Sequence, residues 1–163
     1  GSMQLAPGWG RIKVDGPYGK LSLNLEDYSQ IILVAGGIGI TPMVSALGEI
    51  LSNKRRRRVE VCLIWSNRTV APFLDWFPQA LAGAEEAGAR LELYQTKGEA
   101  DDSVKLPLKT GRPKYGDLFS DLGAKHMARE VCVLACGPGP LVASAQGHAH
   151  DRGFAFHKET FLF

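Results

Sequence analysis

The sequence is poor in the features that would place it in a specialised class. Its 163 residues include only three cysteines, Cys62, Cys132 and Cys136. The odd number and unpaired spacing exclude a disulfide framework and a zinc signature, and a reducing compartment is the simpler reading. No stretch approaches the ~18 uninterrupted apolar residues that a spanning helix requires, and no signal-peptide pattern is visible. The four histidines suggest no metal: His148 and His150, two apart on an expected helix, do not share a face. Charge is nearly balanced, with 19 Lys+Arg against 17 Asp+Glu, so no general nucleic-acid partner is expected. No internal repeat is visible. What is there is 45% apolar and 22% charged residues, the balance of one globular domain of ordinary size. Gly1-Ser2-Met3 reads as a cloning remnant and stays outside the fold argument.

Apolar runs and punctuation predict an alternation of strands and helices. Ile31 to Ala35 reads as a strand buried on both faces that stops at paired glycines. Thr41 to Asn53 carries Met43, Val44, Leu47, Ile50 and Leu51 on one helical stripe, with Thr41 as its cap and Pro42 in its first turn. Val59 to Trp65 is the second strand. Pro72 to Ala87 is the second helix, in which Pro78 is a misfit that kinks or splits it. Arg90 to Gln95 is the third strand, and Lys97 to Thr110, without period, reads as a loop. A short helix within Tyr115–Met127, broken near Gly123, precedes the fourth strand, Val131 to Cys136. The helix Leu141–Asp151 and a fifth strand, Phe154 to His157, complete the series. Helices between apolar strands imply a doubly wound, five-stranded parallel α/β sheet of order 3-2-1-4-5, a Rossmann-like nucleotide-binding fold. Ligands bind such sheets where the strand order reverses, here between the first and fourth strands.

Both of those strands end in glycine clusters. Gly37-Ile38-Gly39-Ile40-Thr41-Pro42 joins a strand to a helix, where free N–H groups and the positive end of the helix dipole favour phosphate. Packing alone would also call for a tight turn there. The second strand ends Trp65-Ser66-Asn67-Arg68. An acidic residue at this edge would accept bonds from a free ribose 2′-hydroxyl, but none is present, and Arg68 offers a fork of donors suited to phosphate. Cys136-Gly137-Pro138 ends the fourth strand. A small side chain beside a glycine allows close approach of a flat ring, although a buried structural cysteine has the same sequence appearance. Cys132, on the same strand face, reads as core.

The proline that closes the first glycine turn resembles the NADP-binding half of the ferredoxin–NADP reductase superfamily. Asp15-Gly16-Pro17-Tyr18-Gly19, Gly37 to Pro42, Gly111-Arg112-Pro113, Cys136-Gly137-Pro138 and Phe156-His157-Lys158-Glu159-Thr160-Phe161 occur together and in order. That set is similar to the C-terminal dehydrogenase region of NADPH oxidases and ferric reductases. The resemblance implies NADPH as ligand, with Arg68 and Arg112 near its 2′-phosphate. It implies Cys136 and Glu159 near the nicotinamide, and Phe161 or Phe163 as an aromatic cover for a flavin. It further implies FAD bound mainly by a preceding domain, haem in a transmembrane domain of the same polypeptide, and a membrane-associated parent with this domain on the cytoplasmic side. On this reading residues 4–28 are the remnant of the flavin domain and its linker, and 29–163 are the NADPH-binding domain, inactive in electron transfer alone. A soluble flavoprotein reductase and a non-catalytic nucleotide-sensing module are the alternatives. Lys54-Arg55-Arg56-Arg57-Arg58 reads first as a solvated helix end; the sharper reading is contact with a membrane surface or a regulatory partner.

Overall fold

The computed structural model describes residues 14–15, 20–21, 24–52, 59–70, 78–98 and 106–159. A small antiparallel pair, β1 (Val14–Asp15) and β2 (Lys20–Leu21), stands at the head. The main sheet is wholly parallel and has six strands. In chain order these are β3 (Gln30–Gly36), β4 (Glu60–Asn67), β5 (Arg90–Gln95), β6 (Leu108–Thr110), β7 (Val131–Cys136) and β8 (Ala155–Lys158). Across the sheet the order is β6-β5-β4-β3-β7-β8. The five expected strands therefore lie in the expected order, and β6 is an addition at one edge.

Among the described residues, four helices cover the two faces: α1 (Ile40–Ser52), α2 (Pro78–Glu86), α3 (Tyr115–Gly123) and α4 (Gly139–Asp151). Strand alternation sends Ile31, Leu33 and Ala35 into one core with α1 and α2, and Ile32 and Val34 into a second core with α3 and α4. All seven residues of β3 are buried, so its apolar run serves both layers; each such side chain contributes roughly 1.5–3 kcal/mol of burial.

Three local expectations change. Thr41 does not cap α1, because a 3₁₀ turn at Gly37–Gly39 runs directly into a helix that begins at Ile40. Pro78 is the first residue of α2, where its missing N–H goes unused by the helix; residues 71–77 lie outside the described residues. The segment read as a loop ends in β6. A three-residue strand has no period of its own to read, and tertiary contacts hold it. Lys109 Nζ lies 2.7 Å from Glu92 Oε2, and Arg90 Nε lies 2.9 Å from Glu92 Oε1.

Burial pushes the Glu92 carboxyl up, but its hydrogen bonds with Lys109 and Arg90 prevail and hold it below the ordinary value. A depressed carboxylate contributes stability above its unfolded pKa of about 4.3, and that contribution is lost as pH falls through the folded value. Lys109→Met is expected to cost about 1 kcal/mol at neutral pH, a small figure because the lysine is half exposed. Urea unfolding checks it: the difference from the parent should be present at neutral pH and shrink in acid.

Candidate functional site

The C-terminal ends of β3, β4 and β7 form the candidate site. Gly37 leaves β3 with φ +56°, a conformation that glycine adopts without the steric cost of a Cβ. Its carbonyl accepts the indole N–H of Trp65 at 3.0 Å and the backbone N–H of Ile40. The fully buried Trp65 thus anchors the turn from below. Gly39 serves a different purpose. A Cβ built there would collide with the Cys136 carbonyl and stand 3.2 Å from the Gly137 nitrogen. A Cβ on Gly137 would stand 3.0 Å from the Gly36 Cα. The two glycine clusters are packed backbone to backbone across the switch point.

Beside this junction lies a cleft of about 800 Å³. Gly37, Asn67, Arg68, Arg112 and Pro138 line it, so the turn, the end of β4, the approach to α3 and the start of α4 converge there. Arg68 and Arg112 are both exposed. Among the described residues their side chains have no hydrogen-bond or ion-pair partner, which leaves two free guanidinium forks on one cleft. Asp117, in the first turn of α3, is the carboxylate on its wall.

Other sequence-predicted residues lie behind or beside the cleft. Gly39, Ile40 and Pro42 are buried and Thr41 is half-buried, and none of the four lines the cleft. Cys136 is 1% exposed. Burial, and then the charge of Glu159, push its thiol up to about 12, so it is a neutral small group rather than a nucleophile. Glu159 is buried at the end of β8, where its backbone N–H donates to the Ala135 carbonyl at 2.8 Å. Phe161, Phe163 and Lys54–Arg58 lie outside the described residues. Lys114, Tyr115, Ser144 and His148, which no sequence motif singles out, also line the cleft. Burial pushes the Tyr115 phenol up to about 12, against an opposing hydrogen bond with Ser66, and a neutral hydroxyl results. The available signal for Tyr115 was its position two residues after Gly-Arg-Pro.

A doubly wound parallel sheet with a glycine turn and a cationic cleft at its switch point is a Rossmann-like nucleotide-binding domain. Residues 28–108 match the family described as the ferric reductase NAD binding domain. Human NADPH oxidase 4 is 27% identical over 173 residues, covering 93% of this chain and 30% of that protein. NADH-cytochrome b5 reductase 1 of Eremothecium gossypii is 31% identical over 152 residues, covering 88% of this chain and 49% of that protein. The solved CS-b5R domains of human Ncb5or, in the NAD+ form, share the fold with a TM-score of 0.64 at 23% identity, over 86% of this chain and 39% of that one. These matches make the chain a relative of the ferric reductase NAD binding domain and of the C-terminal region of NADPH oxidases. It spans less than half the length of these relatives.

The two glycines of the turn should respond differently to alanine. Gly37→Ala is expected to cost about 1–2 kcal/mol through its backbone angle alone. Gly39→Ala forces two backbones apart, costs about 1–3 kcal/mol by overpacking, and should also weaken dinucleotide binding by reshaping the turn. Urea unfolding and calorimetric titration of the two variants in parallel check this.

Proposed function

We propose that this chain is the NADPH-binding domain of a larger membrane flavocytochrome. In that protein NADPH reduces FAD, and the electrons pass through haem to oxygen, as in NADPH oxidases, or to ferric iron, as in ferric reductases. The observation that carries the reading is the pair of exposed guanidinium groups, Arg68 and Arg112, on the cleft that the glycine turn floors. Their planar forks suit a 2′-phosphate, and the Trp65–Arg68 strand end offers no carboxylate to select a free 2′-hydroxyl.

The donor set fits a dinucleotide. The Gly37–Pro42 turn presents backbone and a helix start to the diphosphate, Asn67 borders the same floor, and Arg68 and Arg112 take the 2′-phosphate. Thr41, Cys136, Gly137 and Pro138 shape the nicotinamide end, with Glu159 behind Cys136. Bound NADPH supplies the hydride and FAD accepts it, so the protein's task is to hold the two rings face to face. A neutral Cys136 thiol suits that task, since it adds neither bulk nor charge. Phe161 or Phe163 would cover the flavin until nicotinamide arrives.

Residues 4–28 are then the tail of a preceding flavin domain and 29–163 the NADPH-binding domain. The parent is membrane-associated through a haem domain of the same polypeptide, and this domain lies on the cytoplasmic side, with the basic run Lys54–Arg58 as its contact for membrane or regulator. A second reading, the NADP-binding half of a soluble flavoprotein reductase, draws support from the likeness to a cytochrome b5 reductase. That relative's name carries NADH, and the arginine pair argues for NADPH in this chain.

Calorimetric titration of the chain with NADPH and NADH tests the assignment. NADPH should bind more tightly, and Arg68→Ala or Arg112→Ala should each lower its affinity roughly 10-fold or more, the worth of a charge-assisted hydrogen bond, with little change for NADH. Equal affinity for both nucleotides, or an unchanged NADPH affinity in Arg68→Ala, would overturn it.

A further inference from the structure

At the end of β8 a carboxylate is buried with half of its hydrogen-bonding capacity unused. Glu159 is 2% exposed. Its Oε1 lies 3.2 Å from His157 Nε2, whereas Oε2 is buried and has no donor among the described residues. A buried acceptor left unpaired costs about 1–3 kcal/mol, and more when charged, so this geometry persists only with strong support from its one partner. That partner is not buried. The His157 side chain is 37% exposed, so it is open to solvent while the Glu159 carboxylate is not.

Among the described residues, little else that is charged faces the pair. Register pairs His157 with Leu134 of β7, which puts it on the sheet face that carries Cys132 and Cys136. The titratable groups there are those two thiols and the Tyr28 phenol, which feels Cys132. The charged residue of α1, which packs over this face, is Glu49, in the last turn of that helix and away from the glycine end. On the opposite face His150 meets the Phe156 ring edge-on, with Asp151 and Arg152 at the end of α4. The 3₁₀ turn before β7 adds Arg129 and Glu130. Of all these, the charged group that moves His157 is Glu159: its hydrogen bond raises the imidazole, burial opposes it, and its charge raises it further.

We propose that His157 is a positioning residue whose imidazolium holds the buried Glu159 carboxylate in place behind Cys136, so that the nicotinamide end of the cleft answers to the protonation of an exposed histidine. The pairing stands on geometry alone; its consequence for electron transfer rests on the NADPH-to-FAD reading above. The sign follows from the raised imidazole. The ion pair is complete below the ordinary histidine value of about 6.5 and is lost as pH rises through the folded one. Glu159 then loses its counter-charge, and its place behind Cys136 is no longer enforced.

Two measurements separate the pairing from its consequence. In the first, NMR follows the His157 ring signals of this chain through a pH titration. The midpoint should lie above the ordinary value and fall back toward it in Glu159→Gln. A midpoint at or below the ordinary value, or one unmoved by Glu159→Gln, overturns the proposal. In the second, single-turnover reduction of FAD by NADPH is followed across the same range in the longer polypeptide that carries the flavin domain. The rate should fall as pH rises through the His157 midpoint, and His157→Asn, which keeps a donor but not a titrating charge, should abolish that inflection. His157→Gln serves the same purpose if the Asn variant does not fold. An inflection that survives in either variant overturns the proposal. Absence of FAD reduction at every pH in the parent defeats the functional reading instead, and the NMR result still decides the pair.

Discussion

Two turns leave neighbouring parallel strands and meet backbone to backbone. One follows β3 through Gly36, Gly37 and Gly39, and the other follows β7 through Cys136 and Gly137. Connections from these strands run to opposite sides of the sheet, and the two turns meet between them, with Leu141 and Pro138 packed against Gly36. Side chains there would hold the turns apart. With glycines the gap closes, and the Gly37 carbonyl comes within reach of the Trp65 indole. The start of α1, the start of α4 and the ends of three strands are thereby fixed in one frame. The cleft, the arginine pair and the Cys136 position all inherit their geometry from that contact.

The frame makes the site chemically uneven. Toward the end of β4 it carries Arg68, Arg112 and Lys114, all exposed and suited to a solvated phosphate. Toward the end of β7 the groups are neutral or buried: a thiol pushed up to about 12 and a carboxylate shielded from water. Such a gradient orients an extended ligand whose two ends differ in charge, because phosphate is repelled from the buried carboxylate and drawn to the arginines.

Much of this was legible in the sequence because it depends on local signals. The run Ile31–Ala35, its glycine stop and the helical stripe that follows encode a buried strand, a turn and a helix without outside help, and the strand order follows from the alternation. The exceptions have physical causes. β6 exists because Lys109 reaches Glu92 across the sheet, and no local pattern reports a tertiary ion pair. The Thr41 cap was displaced because the Gly37–Gly39 turn already feeds the Ile40 N–H, which leaves a side-chain cap no task. Ser144 and His148 join the cleft only because α3 and α4 converge. The pairing of His157 with Glu159 needed the end of a strand to turn a carboxylate inward, which a reading of types and spacing does not show.

The two ends of the sheet treat their polar groups in opposite ways. At the N-terminal end of β3 the Ser29 hydroxyl donates to Glu130 Oε2 at 2.8 Å and contacts His126 Nδ1 at 3.1 Å, and His126 Nε2 lies 3.1 Å from Glu60 Oε2. Each polar group in that chain meets another, as a structural network must to repay its desolvation. At the C-terminal end the exposed guanidinium groups of Arg68 and Arg112 and the buried Glu159 Oε2 have no partner among the described residues. Water serves the exposed guanidinium groups, so only the buried carboxylate oxygen carries a desolvation cost; both arginines line one crevice. A ligand that brings phosphate to the arginines would exchange their water for charge-assisted hydrogen bonds. The distribution of unmet polar groups therefore points to the same end of the sheet as the strand topology, and it does so independently of the glycine motif.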